Sequence, residues 1–258
     1  SSSASRRPCP ARSRERFWLV PRAGAPSLPA MPRSPLAGLN VLLLEDDVTR
    51  VTMVRHAQQA YPTSIDTFTH GDWADPPLSQ LGKAQAMAVG SLLAEHQVDA
   101  VACSTMGRAL ETATIIAAPH GLAPDVRPEL VEIQSYRDIG HDDEPQSMVD
   151  PQEWARHEQA FHRTVKWDLM FFSEGSAEFR GRVVEAVERL LADYAGKHIV
   201  LVSHGGVINA YLAWILGIED DMFFLPNHCS MTTVWTKDDI RRVHSVNERQ
   251  HLHEGLLT

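Results

Sequence analysis

The chain has 258 residues, 43% of them apolar, which is enough for one large α/β domain or at most two small ones. Its formal net charge is −9, from 24 basic and 33 acidic residues, which argues against general binding to nucleic acid or to an anionic membrane. The longest mostly apolar run, which starts at Leu36, is far shorter than the roughly 20 residues that span a bilayer. The three cysteines are scattered and match neither a disulfide framework nor a zinc site, so a reducing, cytoplasmic location is expected.

Residues 1–44 differ in composition from the rest of the chain. They carry seven arginines, one acid (Glu15) and seven of the sixteen prolines, so this segment has a charge of 7 − 1 = +6 and the remainder −9 − 6 = −15. Such a composition predicts a disordered extension. An organelle transit peptide, or translated sequence upstream of the true start, would look similar, and all three interpretations stay open. The folded domain is predicted to occupy residues 45–250, followed by a loose tail that holds His251 and His253.

From Val48 onward, strand-like and helix-like segments alternate. The predicted strands are Val48–Val54, Val98–Ser104, His198–Ser203, Ser230–Lys237 and Ile240–Asn247, and the stretch 124–133 is predicted to be extended. The predicted helices begin at Ser79, Gly107, Phe179 and Gly205. This alternation predicts an α/β fold in three layers, a mostly parallel sheet with helices on both faces. Residues 134–177 break the rhythm and are interpreted as an insertion over one edge of the sheet, at the active site.

Three predicted strands end in polar side chains. They are followed by Arg55-His56, by Ser104 with Arg108 four positions on, and by Ser203-His204-Gly205. Because ligands bind outside the carboxyl ends of strands in open parallel sheets, these residues are expected to meet at one edge. Arginine suits phosphate oxygens, and the two helices that start there would point their N-termini at an anion. The pattern predicts a phosphate pocket that contains two histidines.

Five segments, in order, resemble motifs of the histidine phosphatase superfamily, which includes the cofactor-dependent phosphoglycerate mutases. They are "VRHAQ" from Val54, "DPPLSQLGKAQA" from Asp75, "CSTMGRALETA" from Cys103, "ELVEI" from Glu129 and "LVSHGG" from Leu201. The resemblance covers roughly residues 51–246. It implies a phosphoglycerate mutase-like fold and an enzyme that acts on a small phosphorylated substrate.

The resemblance also implies a role for each matching residue. His56 would be the nucleophile that becomes a phosphohistidine, and Glu132 would donate a proton to the leaving group. Arg55, Arg108 and His204 would bind the phosphoryl oxygens, together with Gly205 at the start of the last helix. A neutral imidazole is a good nucleophile near pH 7, and covalent transfer divides one hard displacement into two easier ones. Two arginines and a second histidine can supply the charge, so no metal and no cofactor is expected.

Some positions have a simpler interpretation. Ala57 stands where the family often has glycine, which would cause strain if the backbone needed a positive φ. Arg108 could be a surface arginine that pairs with Glu111. The acid at Glu132 could instead be Glu129 or Asp138. The other eleven histidines are interpreted as ordinary polar residues.

Three functions are weighed. A phosphomonoester phosphatase is favoured over a phosphoglycerate mutase, because the family's mutases typically have asparagines after the first histidine and this chain has none between His56 and Asp75. An acidic group at Asp142, Asp143, Glu144 and Asp150 would also repel a doubly anionic acceptor. A regulatory protein that binds a phosphorylated ligand without turnover is the third possibility, and the intact Arg–His pattern argues against it. No binding to nucleic acid or membrane is expected, and the oligomeric state is not predicted.

Overall fold

The computed structural model of the protein describes residues 47–60, 74–135, 139–140 and 142–258. The predicted extension at 1–44 and most of the segment between His56 and Asp75 lie outside these residues. So does Asp138, one of the alternative acids.

The described residues form six strands and five α-helices. The strands are β1 (Thr49–Arg55), β2 (Ala100–Cys103), β3 (Asp125–Val126), β4 (His198–Ser203), β5 (Met231–Lys237) and β6 (Ile240–Glu248). The helices are α1 (Gln80–Leu93), α2 (Gly107–Ala117), α3 (Pro151–Thr164), α4 (Ser176–Asp193) and α5 (Gly205–Leu216). Among these residues, no helix is both long enough and apolar enough to cross a membrane.

The strands form one sheet in the order β3-β2-β4-β1-β5-β6. The first four strands in this order run parallel, whereas β5 is antiparallel to β1 and to β6. Arg55 at the end of β1 lies opposite Ser203 at the end of β4, and Cys103 of β2 lies opposite Val202. The carboxyl ends of β1, β2 and β4 therefore share one edge, where the first residues of β5 also arrive.

Helices cover both faces of the sheet, and each face has its own apolar core. Along β4, Ile199 and Leu201 face the core formed with α4 and α5, whereas Val200 and Val202 face the core formed with α1 and α2. This alternation follows from the two-residue period of a strand. The fold is the predicted three-layer α/β arrangement.

The ends of the helices follow from local chemistry. Ser79 caps α1, since its hydroxyl accepts a hydrogen bond from the backbone N–H of Gly82. Gly217 ends α5 in the left-handed conformation, with φ 69°, which glycine adopts without a steric cost.

Two expectations about local structure are wrong. Only Asp125–Val126 of the stretch 124–133 is a strand, and a 3₁₀ turn follows at Pro128–Leu130, because proline supplies no N–H to a neighbouring strand. The segment after residue 250 is also not a loose tail. Leu252 and Leu256 are buried in the core beside α1 and α2.

The segment 134–177 contains α3 and a cluster of aromatic residues. Trp167 is buried, and its ring lies 5.8 Å from that of Phe161 and 6.4 Å from that of Phe179 on α4. Asp221 accepts a hydrogen bond from the backbone N–H of Trp167 at 2.9 Å. These aromatic side chains extend the core that lies under α4 and α5.

Candidate active site

His56 lies at the shared edge of the sheet, directly after β1, and is almost fully buried. Its Nδ1 lies 2.8 Å from the carbonyl oxygen of Ala57, which can only accept, so Nδ1 carries the proton. Arg108 donates from Nε to His56 Nε2 at 3.2 Å. The neutral ring therefore has its lone pair on Nε2, the atom that a nucleophile needs. Burial, then His204, Arg108 and Arg55, hold the pKa of His56 well below its usual value.

Ala57 causes no strain at this point. It is not among the described residues with a positive φ, and its N–H donates to Thr112 Oγ1 at 3.1 Å. The departure from the family's usual glycine leaves the backbone geometry intact.

His204, after β4, is fully buried with its ring centre 5.1 Å from that of His56. Its Nε2 lies 2.7 Å from Ser104 Oγ, and this oxygen accepts a hydrogen bond from the N–H of Met106. Nε2 is an acceptor to which the buried Ser104 hydroxyl can donate its proton, and in that arrangement the imidazole proton lies on Nδ1. Nδ1 is buried without a hydrogen-bond partner among the described residues. Burial, and then Arg108, lower the pKa of His204 and keep its ring neutral.

Arg108, on the first turn of α2, is buried and belongs to this site. Its Nη1 donates to the carbonyl oxygen of Ala74 at 3.0 Å and to Asp75 Oδ1 at 3.1 Å. The alternative of a surface arginine is wrong, because Arg108 is buried, and Glu111 forms an ion pair with Lys83 at 3.3 Å. Asp75 also accepts the N–H of Gly107 at 2.6 Å, so the start of α2 already faces a carboxylate, contrary to the expectation that it is open to an anion.

Arg55 is held beside the start of α5 by a neighbouring loop. Its Nη1 donates to the carbonyl oxygen of Pro226 at 2.6 Å. The side chain of Asn209 on α5 fixes that loop, since it donates to the carbonyl oxygen of Phe224 at 3.0 Å and accepts from the N–H of Phe223 at 3.0 Å. Gly205 begins α5, and a Cβ at this position would lie 3.8 Å from Met222 Cε and 4.0 Å from Arg55 Nε.

Glu132 places its carboxyl group against the first turn of α5. Oε2 accepts the N–H of Gly206 at 3.0 Å and Oε1 accepts the N–H of Ile133 at 3.0 Å. The side chain as a whole is half-buried, but its carboxyl group is shielded from solvent, and this burial raises the pKa. Glu129, the alternative acid, lies beside Arg189 at 3.7 Å and is half-exposed.

Arg182 on α4 binds the segment that contains Glu132. It donates to the carbonyl oxygens of Glu129 and Val131, at 2.7 Å and 3.1 Å, and forms an ion pair with the buried carboxylate of Glu174. The same carboxylate accepts the N–H of Gln134 at 2.9 Å. The backbone on both sides of Glu132 is thus fixed, and this arrangement was not predicted.

Sequence reasoning also missed His228, which it grouped with the ordinary histidines. His228 is buried, and its ring centre lies 5.6 Å from that of His56. Its position follows from the sheet topology, because an antiparallel strand beside β1 begins at the edge where β1 ends. Among the described residues, no group of three or more His, Cys, Asp or Glu side chains could hold a metal ion.

Comparison with known proteins identifies the family of this chain. The model of the histidine phosphatase superfamily (branch 1) matches residues 51–249. An uncharacterized protein of Mycobacterium tuberculosis (strain ATCC 25618 / H37Rv) is 35% identical over 159 residues, which are 60% of this chain and 73% of that protein. The adenosylcobalamin/alpha-ribazole phosphatase of Escherichia coli (strain K12) is 27% identical over 176 residues, 66% of this chain and 80% of that one. The crystal structure of phosphoglycerate mutase from Bacillus anthracis str. Sterne has the same fold, with a TM-score of 0.64 and 20% identity over 81% of this chain and 97% of that one. The chain belongs to the histidine phosphatase superfamily.

Proposed function

We propose that this chain hydrolyses small phosphomonoesters through a phosphohistidine on Nε2 of His56. The observation that carries the proposal is the tautomer of His56, with its Nε2 lone pair beside the Arg108 guanidinium. A nucleophile in this state needs no base to remove a proton first. The two arginines and the N–H of His204 would stabilise the three phosphoryl oxygens.

In the first step, His56 Nε2 bonds to phosphorus as the ester P–O bond breaks. The protonated carboxyl group of Glu132 gives its proton to the departing oxygen, so the alcohol leaves neutral. In the second step, the Glu132 carboxylate takes a proton from water as the water oxygen attacks phosphorus. The N–P bond then breaks, inorganic phosphate leaves, and His56 and Glu132 return to their starting states.

The direct test is to trap the intermediate. Brief reaction with an aryl phosphate and an alkaline quench should leave one phosphoryl group on His56, detected by mass spectrometry. His56→Ala should lose turnover, whereas His96→Ala, which removes an exposed histidine, should keep it. Full turnover in His56→Ala would refute the proposal.

Phosphoglycerate mutase activity is the alternative within the same superfamily. Asp143 and Asp150 are exposed and accept local backbone N–H bonds, so solvent screening weakens the repulsion expected from this acidic group. The lack of asparagines between His56 and Asp75 carries the preference for hydrolysis. With 3-phosphoglycerate and a trace of 2,3-bisphosphoglycerate, free phosphate should form. Rapid formation of 2-phosphoglycerate without free phosphate would make the chain a mutase.

The substrate can be narrowed by a panel. The related Escherichia coli protein is an adenosylcobalamin/alpha-ribazole phosphatase. Alpha-ribazole phosphate should therefore be screened with sugar phosphates, phosphoglycerate, nucleotides and phosphohistidine peptides, by release of inorganic phosphate. The substrate with the highest kcat/KM identifies the group that the rest of the pocket recognises.

A further inference from the structure

We infer that His228 is a third histidine of the phosphoryl pocket, which donates a hydrogen bond from Nε2 to a phosphoryl oxygen and is held in that tautomer by Thr258. The inference rests on the proposed function, because it assigns one more contact to the same pocket. It follows from three features of the structure: the position of His228, the state of its two nitrogens, and its likeness to His204.

His228 lies within the same buried cluster as His56. It precedes β5, whose first residues reach the edge where β1 ends, and its ring centre is 5.6 Å from that of His56. The corresponding distance for His204 is 5.1 Å. His228 therefore lies almost as close to the nucleophile as the second histidine of the family motif does.

The hydroxyl group of Thr258 lies between Gln85 and His228 and contacts a ring nitrogen of His228. Gln85 Nε2 donates to Thr258 Oγ1 at 2.9 Å, and the same oxygen lies 2.8 Å from His228 Nδ1. The hydroxyl oxygen accepts from Gln85 and can donate its own proton to Nδ1. The proton of the imidazole is then on Nε2. Nε2 is buried and has no hydrogen-bond partner among the described residues.

His204 shows the same arrangement. In each ring, one nitrogen forms a hydrogen bond with a hydroxyl group. The hydroxyl belongs to Ser104 for His204 and to Thr258 for His228. Each hydroxyl accepts another N–H, and each ring keeps a second nitrogen that is buried and unpartnered in the described part of the chain. A buried donor without a partner costs free energy unless a ligand satisfies it. A phosphoryl group bound at His56 offers such acceptors.

The His228 ring is neutral, which suits a group that donates a hydrogen bond to a phosphoryl oxygen. Burial, followed by Arg55 and Arg108, lowers the pKa of His228 to about 3, so the ring donates a hydrogen bond without adding charge. The segment that orients it is itself fixed near the nucleophile, because buried Gln85 also donates to the carbonyl oxygen of Leu256 at 2.7 Å and accepts the N–H of Gln58 at 3.0 Å. Thr258 is thus tied to the residues that follow His56.

The test uses vanadate, which mimics the phosphoryl group, bound to the full chain and followed by calorimetry. His228→Ala removes the N–H that donates to a charged vanadate oxygen, so vanadate binding should weaken about 10- to 100-fold. His228→Gln, which keeps an N–H donor, should recover part of the loss. Thr258→Val should weaken binding several-fold, because the ring remains but its tautomer is no longer fixed. The matched control is His244→Ala, an exposed histidine on β6.

The measurements separate the two claims. Vanadate affinity within twofold of wild type in His228→Ala overturns the inference even when the wild-type protein turns over substrate. If His228→Ala does not fold, unchanged affinity in both His228→Gln and Thr258→Val overturns it. Wild-type protein that binds vanadate but forms no phosphohistidine refutes the proposed function, while the vanadate series still decides the role of His228.

Discussion

Gly206→Ala is the sharpest test of the role proposed for Glu132. A Cβ at residue 206 would lie 3.1 Å from Glu132 Cδ, 3.2 Å from Phe179 Cε1, and closer still to Glu132 Oε1. The backbone of α5 is fixed by its own hydrogen bonds, and Phe179 is fully buried. The carboxyl group of Glu132 must therefore move away, and it loses the 3.0 Å hydrogen bond from the N–H of Gly206.

The magnitude follows from what a proton donor supplies. Loss of a general acid slows a reaction by about 10²- to 10⁴-fold, and a displaced acid should fall near the lower limit. The effect should depend on the leaving group, because an alkoxide needs a proton and a nitrophenolate does not. We expect kcat for an alkyl phosphate to fall about 100-fold in Gly206→Ala and kcat for an aryl phosphate to fall less than tenfold. The free energy of unfolding should fall by no more than about 2 kcal/mol, since alanine gains about 1 kcal/mol of helix propensity against an overpacking cost of about 1–3 kcal/mol.

The assay is the ratio of alkyl to aryl phosphate turnover. Gly205→Ala is the matched comparison, because its Cβ would meet only ordinary contacts, with Met222 Cε at 3.8 Å and Pro226 Cδ at 3.9 Å. It should leave the ratio unchanged, whatever it does to the two rates. Glu132→Gln should lower the ratio at least as much as Gly206→Ala. An unchanged ratio in both Gly206→Ala and Glu132→Gln would refute Glu132 as the acid.

Three further predictions concern pH and packing. The rate of alkyl phosphate hydrolysis should fall as pH rises through the raised pKa of Glu132, whereas the rate of aryl phosphate hydrolysis should not. The same pH dependence for both substrates would contradict the role of Glu132 as the proton donor. Asn209→Ala leaves backbone groups of Phe223 and Phe224 without their hydrogen bonds, so the melting temperature should fall by about 6–12 °C, for a loss of about 3 kcal/mol in the free energy of unfolding. KM should rise, because Arg55 loses the loop that fixes its position. An unchanged KM in folded protein would argue against this link. Because the folded-state pKa of His228 is about 3, below its unfolded value of about 6.5, this residue binds more protons when unfolded, and stability falls with falling pH below about 6.5. Between pH 7.5 and 5.5, His228 should account for about 1.4 kcal/mol of the decrease in the free energy of unfolding. When this free energy is measured by urea unfolding, the decrease in His228→Ala should be smaller than in the wild type by that amount. An equal decrease in the two proteins would contradict the burial of a neutral ring.

The fold was predictable because strand periodicity and helix boundaries are local properties. The segment His198–Ser203 is a strand with the predicted bounds, and α5 begins at Gly205, as the pattern after His204 indicates. The stretch 124–133 was harder, since a two-residue strand depends on pairing with β2 and has no period of its own.

The site was predictable only where its residues follow parallel strands. Sequence left Glu129 and Asp138 as alternatives to Glu132, because Arg182, some fifty residues away, orients the segment that contains Glu129 and Glu132. His228 was missed for a related reason. Its place depends on β5 being antiparallel to β1, which the sequence alone does not specify, and its orientation depends on Thr258.

The opposite pKa shifts of His56 and Glu132 have one physical cause. Burial disfavours the charged form of each group, so it lowers the pKa of the imidazole and raises that of the carboxyl group. In His56 the nearby arginines act in the same direction as burial, whereas in Glu132 they and two backbone N–H groups oppose it. The result is a pH range in which the ring is neutral while the carboxyl group still holds its proton. Those are the two states that the first step of phosphoryl transfer requires, and one desolvated pocket produces both.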